Sequence, residues 1–233
     1  MRIDVLASVL VLAALVAGCG AAPTKQDPFE PVNRAVFQFN EKADQFVLKP
    51  VAQAYKAVTP TPVRTGVGNF FGNVSDLLTG VNNLLQGKPT EAGDDFGRVL
   101  LNTSFGIGGM FDLATEAGIE KHDEDFGQTL GVWGARPGPY LVIPILGPSS
   151  VRDAAGTLVQ GYADPITNIR DVGWRNSLYG LRLVNVRTQL LGTEGLVEQA
   201  ALDKYNFVRR AYLQRRRNLV YDGKPPPEEE PED

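Results

Sequence analysis

The sequence predicts a nearly all-helical single domain, and three observations carry the prediction. Apolar residues recur at spacings of three and four along several segments, which puts them on one face of a helix. Prolines stand where those segments begin and glycines where they end, the usual punctuation of helices. The apolar run at 134–148 lacks that spacing, holds four prolines and is too Pro-rich for an ordinary central strand. The composition is that of a globular chain: of 233 residues, 43% are hydrophobic and 21% charged. Twenty-seven acids against 23 bases give a net charge of −4, without the basic excess that nucleic-acid binding needs. A single cysteine and a single histidine exclude an internal disulfide and leave no Cys/His metal cluster.

The first element is an address. Val5 to Ala17 is apolar except for Ser8, too short to span a bilayer but the length of a signal-peptide core. It runs into Leu15-Val16-Ala17-Gly18-Cys19, which resembles a bacterial lipobox. Residues 1–18 therefore read as a lipoprotein signal peptide, Cys19 as the lipidated residue and 19–26 as a tether. More than one acyl chain, at about 0.8 kcal/mol per buried CH₂, makes a stable anchor. Gly20 rather than an aspartate follows the cysteine, which by the same resemblance points to the outer membrane.

Residues 29–48 carry Val32, Val36, Phe39, Ala43 and Phe46 on one helical face, with Pro31 in the first turn and Pro50 closing the helix. Residues 62–86 carry a longer row, Val63, Val67, Phe70, Val74, Leu77, Val81 and Leu84, with Phe71, Leu78 and Leu85 beside it. The other side holds Asn69, Asn73, Asn82 and Asn83 among glycines, and only Arg64 and Asp76 are charged from Val63 to Gln86. Periodicity allows two readings. One is a helix, or two broken near Gly72, buried in a large core. The other is a helix with lipid on one side and a wet cavity on the other.

A helix over 89–104 follows, with Phe96, Val99, Leu100 and Thr103 inward, then a flexible break at Gly106, Gly108 and Gly109 and a short helix ending near Gly118. Asp123 fits a cap for a helix over 124–132. The 134–148 run reads as an apolar loop or hairpin-like segment. Helices are expected over 149–162, 171–191 and 196–220, the last carrying Arg209, Arg210, Arg215, Arg216 and Arg217. Such a run is a solvated face or a site of attraction to anionic head groups or an acidic partner. The domain thus covers 27–222. Residues 223–233 hold one lysine against five acids and four prolines, too little apolar content to fold.

No catalytic constellation rises above chance. There is no G-x-S-x-G elbow, no Walker A and no complete dinucleotide fingerprint. A triad would have to use His122, which sits in the charged run Lys121 to Asp125 and reads as a surface residue beside a helix start. The expectation is a non-enzyme, without cofactor or metal.

The start of the domain, Asp27-Pro28-Phe29-Glu30-Pro31-Val32-Asn33-Arg34-Ala35-Val36-Phe37-Gln38-Phe39-Asn40, resembles the signature of the MlaA/VacJ family of outer-membrane lipoproteins. Further blocks follow in order: 69–73, 81–87, 98–103, 106–109, 125–131, 138–140 and 149–153. The resemblance implies a ring-like helical protein with its helices in the membrane plane, held in the inner leaflet of the outer membrane. It implies removal of mislocalised phospholipid from the outer leaflet through an amphipathic channel, transfer to a soluble periplasmic phospholipid carrier, and association with trimeric porins. Asp27, Pro28, Phe29, Asn33, Arg34, Phe37 and Asn40 are the matching motif residues. Physically, Asn69, Asn73, Asn82 and Asn83 are then candidates to face the channel, Gly106, Gly108 and Gly109 to act as a hinge, and the 138–146 segment to brace or gate. The alternative is a structural lipoprotein that braces porins or the envelope without moving lipid; a lipid hydrolase is the third.

Overall fold

The computed structural model describes residues 27–192 and 203–227. The signal peptide, Cys19, the tether, residues 196–202 of the expected last helix and the acidic end past 227 lie outside the described residues. The elements are α1 (Glu30–Ala43), a π turn (Asp44–Leu48), α2 (Lys49–Val58), α3 (Thr61–Leu85), α4 (Pro89–Ser104), α5 (Leu113–Glu116), α6 (Phe126–Val132), β1 (Tyr140–Ile143), β2 (Gly147–Ser150), α7 (Val151–Ala163), a 3₁₀ turn (Pro165–Asn168), α8 (Val172–Gln189) and α9 (Lys204–Val220). The fold is helical, as the periodicity predicts, and the 134–148 run supplies one antiparallel hairpin with Tyr140 opposite Ser150 and Ile143 opposite Gly147.

Local chemistry sets the boundaries. Asp112, Asp125, Ser150, Asp171 and Asp203 each accept a backbone N–H three residues on, at the starts of α5, α6, α7, α8 and α9, which satisfies one of the orphan donors there. The cap of α6 is therefore Asp125 and not Asp123; the helix starts two residues later than the sequence suggests. Pro50 does not close the first helix either. The Lys49 N–H bonds the Asp44 carbonyl five residues back, and this widened turn absorbs the proline's missing donor and bulky ring. The chain then continues as α2.

α3 runs unbroken for 25 residues through Gly72. It stops where Gly87 takes a φ of +78° and the Lys88 N–H returns to the Asn83 carbonyl at 2.9 Å, a left-handed C-terminal stop. α4 folds back along it, since Asn83–Asp95, Asp76–Arg98 and Asn73–Thr103 pair in opposite senses.

The helices pack in a closed circuit. α1 meets β1, β2 meets α9, α9 meets α6, α6 meets α3, α3 meets α8, α8 meets α2, and α2 returns through the π turn to α1. Polar bonds fasten most joints: Arg216 to Asp125 between α9 and α6, Thr129 to Asn82 at 2.8 Å between α6 and α3, Arg182 to Ser75 at 2.9 Å between α8 and α3, and Thr188 to the Ala52 carbonyl at 3.3 Å between α8 and α2. Buried apolar residues are few, with Tyr140, Val142 and Tyr205 forming the main cluster under the hairpin. Buried polar and charged residues outnumber them among the described residues.

Candidate functional site: a polar interior in an apolar shell

Which face of α3 is inside decides the site. Asn73, Asp76, Thr79, Asn82 and Asn83 are buried, while Val63, Leu77, Val81, Leu84 and Leu85 are exposed. The helix is turned opposite to one in a water-soluble core. The same holds elsewhere: Asn33 is the buried residue of α1, whereas Phe39 and Phe46 of its apolar stripe are exposed. Phe105, Ile107, Phe111, Trp133, Ile145, Leu146 and Tyr162 add to the outer apolar surface. The buried-core reading of the 62–86 helix therefore fails: its polar face is the buried one, with Phe71 beside it, and most of its apolar row lies outward. No helix among the described residues is long and apolar enough to cross a membrane.

Inside, a cavity of about 550 Å³ lies between α3, α8 and the segment before α6. Gly68, Gly72, Ser75, Asp76 and Thr79 give one face of α3 to it, Arg182, Asn185 and Gln189 one face of α8, and Lys121, His122 and Asp123 the third side. Small residues leave the space: a Cβ on Gly68 would come within 3.1 Å of the Gln189 amide, and one on Gly72 within 3.5 Å of the Lys121 Nζ. Behind Asp76 lies a charge network. Arg98, 1% exposed, donates to Asp76 at 3.2 Å and to both oxygens of Asp112 at 2.8 and 2.9 Å. Lys121 pairs with the other oxygen of Asp76. Burial opposes ionisation of Asp112, but hydrogen bonds from Thr115, Asn102 and Arg98 outweigh it and hold its carboxyl down to about 2. Asp95 differs: burial pushes it up despite hydrogen bonds from Asn83 and His122.

The four candidate channel asparagines serve a neighbouring face. Asn69 donates to the Met110 carbonyl, Asn73 to Thr103, Asn82 to the Leu78 carbonyl and Asn83 to Asp95. They bind α3 to α4, α6 and the 105–111 turn, and the cavity wall is formed by residues beside them. Ser75, Asp76, Lys121 and Arg182 line the cavity instead; Asp76 stands out in the sequence as the lone acid of α3, and Lys121 belongs to the charged run 121–125. His122 is not a surface residue: it lines the cavity, with its Nδ1 3.2 Å from an Asp95 oxygen.

The motif residues form a second cluster, away from the cavity. Asn33 donates to the Tyr140 carbonyl at 3.0 Å and accepts from the Val142 N–H at 2.9 Å. Asn40, two turns on, donates to the Ile143 carbonyl at 3.0 Å and accepts from the Ile145 N–H at 2.7 Å. The two amides thus complete the free edge of β1. Asp27 is fully buried and accepts from Asn33 at 2.8 Å, from Arg209 at 2.9 Å and from the Tyr205 hydroxyl. Arg34 bonds Asp203 at 2.8 Å and stacks 4.3 Å over Tyr205, and Phe37 meets the same ring edge-on. Pro28 and Phe29 make the turn into α1.

Two arginines of the basic helix are structural rather than solvated or lipid-facing. Arg209 binds Asp27, and Arg216, seven residues on, binds Asp125 and Asp153. Burial opposes ionisation at both Asp125 and Asp153; bonds from Arg216 at Asp125, and from Tyr212 and then Arg216 at Asp153, override it and lower them. The expected flexible break at 106–109 is a hydrogen-bonded turn: Gly108 and Gly109 donate to the Thr103 and Asn102 carbonyls. Ile107, Gly108 and Gly109 all have positive φ, and a Cβ on Gly106 would strike the Phe111 and Asn102 carbonyls. Left-handed backbone and close approach account for these glycines. Among the described residues no group of metal-ligating side chains is present.

Comparison with known proteins agrees with this architecture. Residues 25–219 match the family model described as MlaA lipoprotein. The chain is 35% identical over 227 residues to the intermembrane phospholipid transport system lipoprotein MlaA of Escherichia coli (strain K12), covering 93% of this chain and 89% of that one. It is 32% identical over 234 residues to the protein of the same name from Haemophilus influenzae, covering 96% and 93%. A solved structure from work on the structural basis for maintenance of bacterial outer membrane lipid asymmetry superposes with a TM-score of 0.75 at 32% identity, covering 84% of this chain and 99% of that chain. The family model's match over residues 25–219, with 35% identity along 93% of the chain, shows that the chain belongs to the MlaA lipoprotein family.

Proposed function

We propose that the protein is an outer-membrane lipoprotein that removes mislocalised phospholipid from the outer leaflet and so maintains lipid asymmetry. The observation that carries this reading is the cavity of about 550 Å³, lined by charged and amide side chains together with Phe71 and Val186, set among helices whose outer faces are apolar. A phospholipid needs a wet path for its head group beside an apolar path for its chains, and one helix such as α3 supplies both. Cys19 anchors the chain to the inner leaflet by its acyl groups, with residues 19–26 as the tether. The lipid leaves to a soluble periplasmic carrier, and trimeric porins are the membrane partners. No step makes or breaks a covalent bond in the lipid.

The test is a strain without the gene, complemented with the wild-type protein or with a cavity-filling Gly72→Leu variant, and assayed for phospholipid in the outer leaflet. The wild type restores low surface phospholipid and the variant leaves it raised at equal protein level. Restoration by the filled variant would favour a protein that only braces the envelope. Palmitate labelling that persists in Cys19→Ala would remove the anchor from the account.

A further inference from the structure

We infer that Arg182 and Lys121 form a two-armed clamp for the phosphodiester anion of a lipid head group, an inference that rests on the lipid-transfer reading. Both side chains line the cavity, and they reach adjacent residues of α3 from two different walls. Arg182 comes from α8 and donates to the Ser75 hydroxyl at 2.9 Å. Lys121 comes from the segment before α6 and pairs with Asp76. Either arm can exchange its present contact for an anion without stranding a charge. Ser75 is neutral, and Arg182 keeps Asp164, 3.1 Å away, as its counter-ion. Asp76 keeps the buried Arg98 when Lys121 leaves. Both arms also remain accessible, at 34% and 47% side-chain exposure, whereas Asp76 is at 2%. The cavity thus offers two cations whose α3 contacts are replaceable. Gly72 keeps the space in front of Lys121 open, and Gly68 the space beside Asn185 and Gln189 of α8. A guanidinium fork beside a mobile ammonium is the usual donor set for a phosphate ester.

The test measures lipid bound to the full-length protein in detergent, with a phospholipid and the diacylglycerol of the same chains as paired probes. The wild type is expected to prefer the phospholipid at least tenfold. Lys121→Met, which leaves Asp76 paired with Arg98, should cut that preference about threefold. Arg182→Gln with Lys121→Met should abolish it while diacylglycerol binding persists. A glycerophosphodiester should compete with the phospholipid, and inorganic phosphate at the same concentration should not. Unchanged preference in both variants would overturn the clamp and leave lipid transfer standing. Equal competition by inorganic phosphate would overturn the lipid source of the anion. A wild type that binds neither probe would contradict the transfer reading itself.

Discussion

Arg98 holds two carboxylates, Asp76 and Asp112, and also donates to Thr115 and to the Ile119 carbonyl. Its replacement would leave Asp76 buried with only Lys121, which is half exposed. Breaking a buried pair from one side costs about 3–5 kcal/mol, so Arg98→Met should lower unfolding free energy in detergent by that amount, read by denaturant titration. A loss below about 1 kcal/mol would mean that Lys121 alone satisfies Asp76 or that Asp76 relaxes outward. Asp112 adds a pH signature. Its folded carboxyl lies at about 2 against an ordinary 3.8, so its contribution is complete above 3.8 and is lost as pH falls from there through about 2. Asp112→Asn should therefore be less stable than wild type at pH 6 and should flatten the acid limb between pH 4 and pH 2. At this scale the sequence was legible in part. Asp76 stood out as a lone acid, but its partners arrive from α4 and from position 121, and ion-pair partners have no fixed spacing. Asn33 and Asn40 matched the family motif, yet what they bond, the backbone of a hairpin more than a hundred residues on, is a product of packing.

Helices α6 and α7 cross at a point where no side chain fits. A Cβ on Gly156 would lie 2.4 Å from the Gly127 nitrogen and 2.7 Å from its Cα. Gly156→Ala gains roughly 1 kcal/mol of helix propensity, but the backbones must separate, and overpacking of this kind costs about 1–3 kcal/mol or more. The expected outcome is a lower melting temperature, with Gly161→Ala on the same helix, where nothing lies within 4 Å, neutral or stabilising. The reverse order would disprove the crossing. Helix existence and most ends were legible because periodicity, caps and Pro/Gly breaks act within a few residues. The fusion of 29–48 with 49–58 was not, because Pro50 ends an ordinary α-helix and only a π turn lets the chain pass. Nor was the 106–109 turn, whose glycines read as freedom but serve left-handed backbone and close packing.

At the scale of the whole molecule, the polar residues are inside and much of the apolar surface faces out. Each phenylalanine or leucine left exposed forgoes about 1.5–3 kcal/mol in water, and patches of this extent mark a membrane or protein contact. Net charge, cysteine count and chain length could exclude classes of function, but not tell which side of α3 faces in, because an amphipathic pattern is the same in a core and in a bilayer. The circuit of packed elements decides it. Two native tryptophans report on the outcome, Trp133 at 56% and Trp174 at 70% exposure. Their fluorescence should be measured with the protein in bilayers, using phospholipids brominated on the acyl chains and iodide in the buffer as alternative quenchers. An apolar shell set in lipid predicts strong quenching by the brominated chains and little by iodide; quenching by iodide with none from the brominated lipid would contradict it.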